Sequence, residues 1–236
     1  MFTAMQTGDP DKVAEVARSW PDAQVAAALL EGMFAYQRQS YDRARELLTW
    51  LWSYPGSFES DRFVRKYMSA STLTLGVAAG VTATMPLTKD AVGLALAELL
   101  QGVGDLDGAI AVVEALEPSF ISAVSLAELY SEAGRQEEVI DLTNEIANVD
   151  DPSALLLTLR GVAFRETHNY TAARAAFKEA LKSSKRDPAI RRLAWLERAR
   201  TYLAEGKKAM ARKDLERILA ETSDYPGLTE LMEQAS

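Results

Sequence analysis

A five-residue signature recurs along this chain and constrains its fold more than any other feature. Gly161, Phe164, Ala173, Phe177 and Ala180 reappear 38 residues later as Ala199, Tyr202, Ala211, Leu215 and Ile218. Ala127, Tyr130, Val139, Thr143 and Ile146 hold the same places 34 residues earlier, and Ala97, Leu100, Ala109, Val113 and Leu116 hold them 30 earlier still. Gly32, Ala35, Ala44, Leu48 and Leu51 make a fifth set, a further 65 residues upstream. Each set reads as two antiparallel helices. A small residue lets one helix lie close to its neighbour, and a residue three places on, mostly aromatic or Leu, fills the adjoining gap. After a turn, a second small residue opens an apolar stripe at helical spacing. Gly104, Gly134, Asn169 and Gly206 supply the turns with residues that tolerate a left-handed backbone. Asp9-Pro10, Asp151-Pro152 and Asp187-Pro188 mark helix starts, with Asp as the cap and Pro in the first helical position.

This pattern resembles the tetratricopeptide repeat family, whose unit is a pair of antiparallel helices about 34 residues long. The resemblance spans roughly residues 25–55 and 90–221. Trp195 stands at the family's Trp place, although the Trp-Leu-Gly run that the family favours is absent. The resemblance implies an all-α chain, a right-handed α-solenoid of helical hairpins. It also implies a non-enzymatic module that captures a segment of another protein along a concave groove. On the groove positions stand apolar anchors, Met33, Tyr36, Leu196 and Leu203, and two cations, Arg165 and Arg200. The remaining groove places, such as Leu155, Thr158, Val162 and Leu193, carry no Lys or Asn. The family's carboxylate clamp is therefore not expected here.

The period breaks between the first set and the second. Leu73, Leu75 and Val77 alternate with Thr72 and Thr74, and Val81, Ala83, Met85 and Leu87 alternate with Thr82 and Thr84. A period of two with β-branched residues, across Ala78-Ala79-Gly80, predicts a small β-hairpin inserted at about residues 71–87. Beside it, Trp50, Trp52, Tyr54, Phe58, Phe63 and Tyr67 either pack beneath the hairpin or form an exposed patch for a peptide or a second copy. The expected organisation is a half repeat and first repeat over 1–58, and a linking helix and hairpin over 59–89. Four repeats over 90–225 and a capping helix over 226–236, at Leu228–Gln234, complete it. Asp9 to Trp20 reads as the second helix of a repeat, with Val13, Ala17 and Trp20 on its buried stripe. That helix is either a cap or the remainder of a repeat in a longer product, and the second is favoured.

Charge is divided along the chain. Residues 153–236 carry 16 Lys and Arg against 11 Asp and Glu, whereas residues 1–152 carry 10 against 23. Within Lys182 to Lys213, eleven cations, among them Arg191, Arg192, Lys207, Lys208, Arg212 and Lys213, face only Asp187, Glu197 and Glu205. This stretch is either a solvated face, helped by pairs such as Arg212 with Glu216, or a surface that favours an acidic partner protein. Two alternatives remain open. One is self-assembly through the hairpin edge or by head-to-tail charge pairing, giving a homo-oligomer. The other, less favoured at a pI near 4.9, is nucleic-acid association through Lys182–Lys213.

Several chemistries are excluded or disfavoured. The 236 residues include no Cys and one His, so thiolate sites, disulfides and two-histidine metal sites are absent. Gly102 to Gly108 is a turn between helices rather than a phosphate loop, and His168 reads as a solvated turn residue. Glu137-Glu138 is assigned to a turn and Asp150-Asp151 to a helix start, where adjacent carboxylates have local tasks. The uncharged run from Tyr67 to Thr88 is too rich in Ser, Thr and Gly to span a bilayer. No cofactor or catalytic constellation is expected, and a cytoplasmic location is.

Overall fold

The computed structural model describes residues 1–20, 23–78 and 81–236, and these divide into two units. Residues 1–76 and 82–117 form the first, and residues 77–81 and 118–236 form the second. The first holds α1 (Phe2–Thr7), α2 (Pro10–Ser19), α3 (Gln24–Gln37) and α4 (Tyr41–Ser53), followed by a 3-10 turn at Phe58–Ser60 and a π-helical turn at Val64–Met68. The hairpin β1 (Thr72–Ala78) and β2 (Val81–Pro86) leads to α5 (Lys89–Gly102) and α6 (Leu106–Glu114). The second unit continues with α7 (Phe120–Glu132), α8 (Gln136–Leu142), α9 (Asp151–Glu166) and α10 (Tyr170–Ala180). It ends with α11 (Pro188–Ala204), α12 (Lys208–Glu221) and α13 (Leu228–Gln234). The five expected helical hairpins are thus present as α3–α4, α5–α6, α7–α8, α9–α10 and α11–α12.

The two helices of a hairpin differ because their surroundings differ. Ser153 to Leu159 of α9 are buried without a break, because this helix packs against α7, α8, α10 and α11. Its partner α10 buries a single stripe, Ala173, Ala176, Phe177 and Ala180, and turns its polar residues to solvent. The stack closes on α13. Its Leu228 and Leu231 join Leu196, Ala199, Leu215 and Ile218 in one apolar cluster.

One turn geometry repeats in all five hairpins. Gln39, Gly104, Gly134, His168 and Gly206 each have φ between 60° and 80°, one residue before the second helix is capped. The next amide then bonds back five residues to a carbonyl of the signature. These bonds are Ser40 to Ala35, Asp105 to Leu100, Arg135 to Tyr130, Asn169 to Phe164 and Lys207 to Tyr202, at 2.7–3.0 Å. This is a Schellman closure, and it satisfies carbonyls that a helix end leaves open. In the fourth hairpin the left-handed place therefore belongs to His168 and not to Asn169. Asn169 instead has φ −86° and caps α10 by accepting from the Ala172 amide at 3.3 Å.

Three further expectations need correction. Asp150 caps α9, reciprocally with Ser153 at 2.9 Å each way, and Pro152 is second in the helix. Asp151 instead accepts from the Asp187 amide, at 3.1 Å. Glu137 and Glu138 lie in the first turn of α8 rather than in a turn between helices, and Glu138 pairs with Arg135 at 2.9 Å. Trp20 leaves the α2 stripe: the helix ends at Ser19, the Trp20 backbone is extended, and its side chain is 67% exposed. Asp9 and Asp187 cap α2 and α11 as expected, each with Pro next in the chain.

The Asp150 cap supports a test. The Ser153 hydrogen bond, opposed by burial and helped by Arg186, holds the Asp150 carboxyl below the ordinary aspartate value. A depressed carboxyl contributes stability above its unfolded-state pKa of about 3.9, and that contribution is lost as pH falls. Asp150→Ala is expected to cost about 1 kcal/mol at neutral pH. The wild-type and variant melting temperatures should converge as pH is lowered from about 4 towards 2, which thermal denaturation across that range measures.

The hairpin alternates as its sequence predicts. Leu73 and Leu75 are buried, Thr72, Thr74, Thr82 and Thr84 are exposed, and the Thr74 and Thr84 hydroxyls lie 2.8 Å apart. Ala79 and Gly80 of the expected turn lie outside the described residues. The neighbouring aromatics divide: Phe58 is buried, whereas Trp50, Tyr54 and Tyr67 are exposed. Among the described residues, no helix is long and apolar enough to cross a membrane.

Candidate functional site

The groove residues of the second unit lie on α9 and α11. Leu196, Arg200 and Leu203 stand at i, i+4 and i+7, one side of α11. Leu196 is buried in the cluster that α13 closes, so it packs and does not present itself. Leu203 is half-buried and Arg200 is 44% exposed. Arg165 reaches from α9 to Glu197 of α11, with Nη1 2.6 Å from Oε2, and also pairs with Glu166 at 3.0 Å. Burial works to release the Arg165 proton, but the carboxylates of Glu197 and Glu166 outweigh it and raise its pKa. The other Glu197 oxygen accepts from Arg200 at 2.6 Å. The structure thus brings Arg165 and Arg200 together through a nearly buried Glu197, which in the sequence stands only as an acid opposing the basic stretch.

The two remaining groove residues belong to the first unit. Met33 is buried in α3. Tyr36 donates its hydroxyl to Glu98 of α5, and burial first, then that carboxylate, push its pKa up. Gly76 of β1 lies over the same carboxylate: a methyl group there would stand 3.5 Å from Oε1. Tyr36 is therefore a bracing residue between α3 and α5 in this structure.

The basic stretch is largely answered from within the chain. Arg191 and Arg192 both reach Glu221, Lys207 pairs with Glu205 at 2.8 Å, and Arg212 pairs with Glu216 at 2.9 Å. Lys208 donates to the Ser236 carbonyl at 2.8 Å. Lys182 pairs with Glu179, and Arg198 grips Asp214 with two bonds of 2.7 Å. Lys213 is exposed and has no acidic partner among the described residues. Beyond the three acids within the stretch, Glu179, Asp214, Glu216 and Glu221 fold in from outside it.

His168 occupies its turn with Nδ1 3.2 Å from the Tyr170 hydroxyl. Among the described residues, no group of three His, Asp or Glu is placed to hold a metal ion. Sequence reasoning missed an apolar cleft of about 590 Å³ beside Trp20 and Phe63 in the first unit. The available signal was Pro21, which disfavours helix at the residue before it and so turns Trp20 off the helical stripe.

No protein-family model matches the sequence, and no curated protein matches it. Solved structures do. The N-terminal domain of the EccA1 ATPase from the ESX-1 secretion system of Mycobacterium tuberculosis superposes with a TM-score of 0.72 at 19% identity, covering 96% of this chain and 82% of that one. The APC/C hetero-tetramer Cut9-Hcn1 gives a TM-score of 0.44 at 13% identity over 98% of this chain and 47% of that one. With the five turns and stripes described above, the first likeness establishes a tetratricopeptide-like helical-repeat fold.

Proposed function

We propose that the chain is a cytoplasmic, non-enzymatic protein-interaction scaffold that captures a segment of a partner on the α9–α11 surface. The observation that carries this reading is the state of Arg200. It is 44% exposed, beside the half-buried Leu203, and among the described residues it donates one hydrogen bond, to Glu197. A guanidinium has five N–H donors. A partner carboxylate therefore joins Arg200 without displacing Glu197, which goes on neutralising Arg165. Leu203 supplies the adjoining apolar contact, and the remaining positive balance of residues 153–236 orients an acidic segment towards this end. The paired cations at Arg191, Arg192, Lys207 and Lys208 then contribute to approach more than to grip.

Affinity capture from a nuclease-treated lysate at low salt tests this, using the native chain, Arg200→Glu with Leu203→Asp, and the charge reversal of Arg191, Arg192, Lys207 and Lys208. A partner lost about tenfold or more with the first variant, and weakened only about two- to threefold with the second, is the expected result. Equal capture by all three baits overturns it. Capture of the chain alone, with a mass that rises with concentration, assigns it to self-assembly through the uncharged hairpin or by charge pairing. Retention of RNA with a steep salt dependence assigns it to nucleic acid.

A further inference from the structure

The cleft at the start of the first unit is a second candidate surface, separate from α9 and α11. The Ala23 amide bonds to the Trp20 carbonyl at 2.9 Å, and the Trp20 indole is left 67% exposed. Val16, Ala23 and Ala26 line the cleft with Trp20, and Phe63 lines it from the segment after α4. Its volume of about 590 Å³ lies within the roughly 300–1,000 Å³ of ordinary ligand pockets. Phe63 begins an aromatic ladder, 4.9 Å from Tyr67, which is in turn 5.1 Å from the half-exposed Phe2. An exposed tryptophan bordering an apolar cleft is the composition of an interaction anchor, not of a solvated surface.

Charge defines what fits. Arg62 lines the cleft and is exposed, with no acidic partner among the described residues. Lys66 stands 5.1 Å above the Tyr67 ring, likewise without an acid. The carboxylate in the lining, Asp61, is turned towards its own backbone: its Oδ1 accepts from the Phe63 and Val64 amides at 2.7 and 3.1 Å. Glu15 lines a smaller adjoining depression that shares Met1, Val16 and Trp20. We propose that this cleft docks an acidic segment of another protein, seating one aromatic or leucine side chain between Trp20 and Phe63 while flanking carboxylates meet Arg62 and Lys66. A nucleic acid or an anionic bilayer extends well beyond two cations and meets a sequence with 23 acids against 10 bases over residues 1–152. A segment of a few residues meets only the local charges, Arg62 and Lys66 against Asp61.

The test pans a displayed library of random 12-residue peptides against the full chain and measures a synthetic copy of the enriched peptide by fluorescence polarisation. Enrichment of Asp and Glu around one aromatic or Leu is expected. Trp20→Ala should weaken binding about tenfold or more, since exposed tryptophans at such centres dominate binding energy. Arg62→Glu with Lys66→Glu should weaken it and flatten its salt dependence. Arg200→Glu with Leu203→Asp should leave it unchanged, which separates this cleft from the α9–α11 surface. Because Trp20 is largely exposed, its variant should keep the wild-type melting temperature. Absence of acidic enrichment, or equal affinity for Trp20→Ala, overturns the proposal. So does Trp20-dependent binding to phosphatidylserine vesicles or to RNA in place of peptide.

Discussion

Gly161→Ala should destabilise this protein by about 1–3 kcal/mol, although alanine favours helix over glycine by about 1 kcal/mol. A methyl group at Gly161 would stand 2.6 Å from Cε1 and Cζ of Phe177 and 2.8 Å from Cδ1. Phe177 is fully buried, so its ring has nowhere to retreat. The cost of overpacking therefore exceeds the gain in propensity. The complementary change, Phe177→Ala, removes the ring and should cost about 3–5 kcal/mol. Gly161→Ala combined with Phe177→Leu should cost clearly less than the sum of its single changes, because the shorter side chain vacates the space the methyl needs. Gly102→Ala is the control. A Cβ there meets nothing within 4 Å, and the substitution should be neutral or stabilising by up to about 1 kcal/mol. Urea denaturation of these variants, with Phe177→Leu alone as the fifth, measures all of this. A destabilisation by Gly161→Ala no larger than that of Gly102→Ala would show that the two helices separate to admit the methyl.

The second large effect belongs to Asp214 on α12. Its carboxylate is 3% exposed and takes two 2.7 Å bonds from Arg198 and a third, of 3.0 Å, from Arg217. Asp214→Ala leaves the Arg198 guanidinium, itself 13% exposed, without its counter-charge inside the α11–α12 hairpin. Breaking a buried pair from one side costs about 3–5 kcal/mol, whereas replacing both members by apolar residues is often neutral. Asp214→Ala should therefore be severe, and Asp214→Leu with Arg198→Leu should recover much of the loss. Thermal melts of the two variants decide the matter. Equal loss in both would mean that the pair is valued for its hydrogen bonds to the rest of the hairpin and not for cancelling charge.

The hairpins were legible in the sequence because five copies of one spacing reinforce one another, and a repeated stripe such as Ala173–Phe177–Ala180 has no other use. The β-hairpin was legible for the same kind of reason: two apolar alternations flank a small-residue turn. What escaped was of a different kind. The left-handed backbone of His168 was assigned one residue late, because composition favours Asn for that conformation while the turn fixes the place by counting back from the cap. Trp20 was placed in the core because helical periodicity does not announce where a helix stops. Of the pairs that answer the basic stretch only Arg212 with Glu216 was legible, because other acids arrive from as far as 30 residues away, as Glu221 does for Arg191. Of the candidate site, the positions of Arg165 and Arg200 were legible. Their joint hold on Glu197 was not, since it depends on the distance between two helices.

Asn148 shows how closely adjacent hairpins of the second unit depend on one another. Its side-chain amide donates to the Glu179 and Ala180 carbonyls at the end of α10, at 2.7 and 3.0 Å, and its oxygen accepts from Arg186 at 2.7 Å. One residue before α9 begins its capping sequence thus completes the end of α10 and holds the approach to α11. Opening α10 from its C-terminus exposes two carbonyls and releases Arg186 at once, so that local fraying is not a small event. Neighbouring repeats are coupled by this shared residue as well as by their apolar faces. The second unit should therefore open in cooperative blocks larger than a single hairpin, with the 148–187 region as the joint between them.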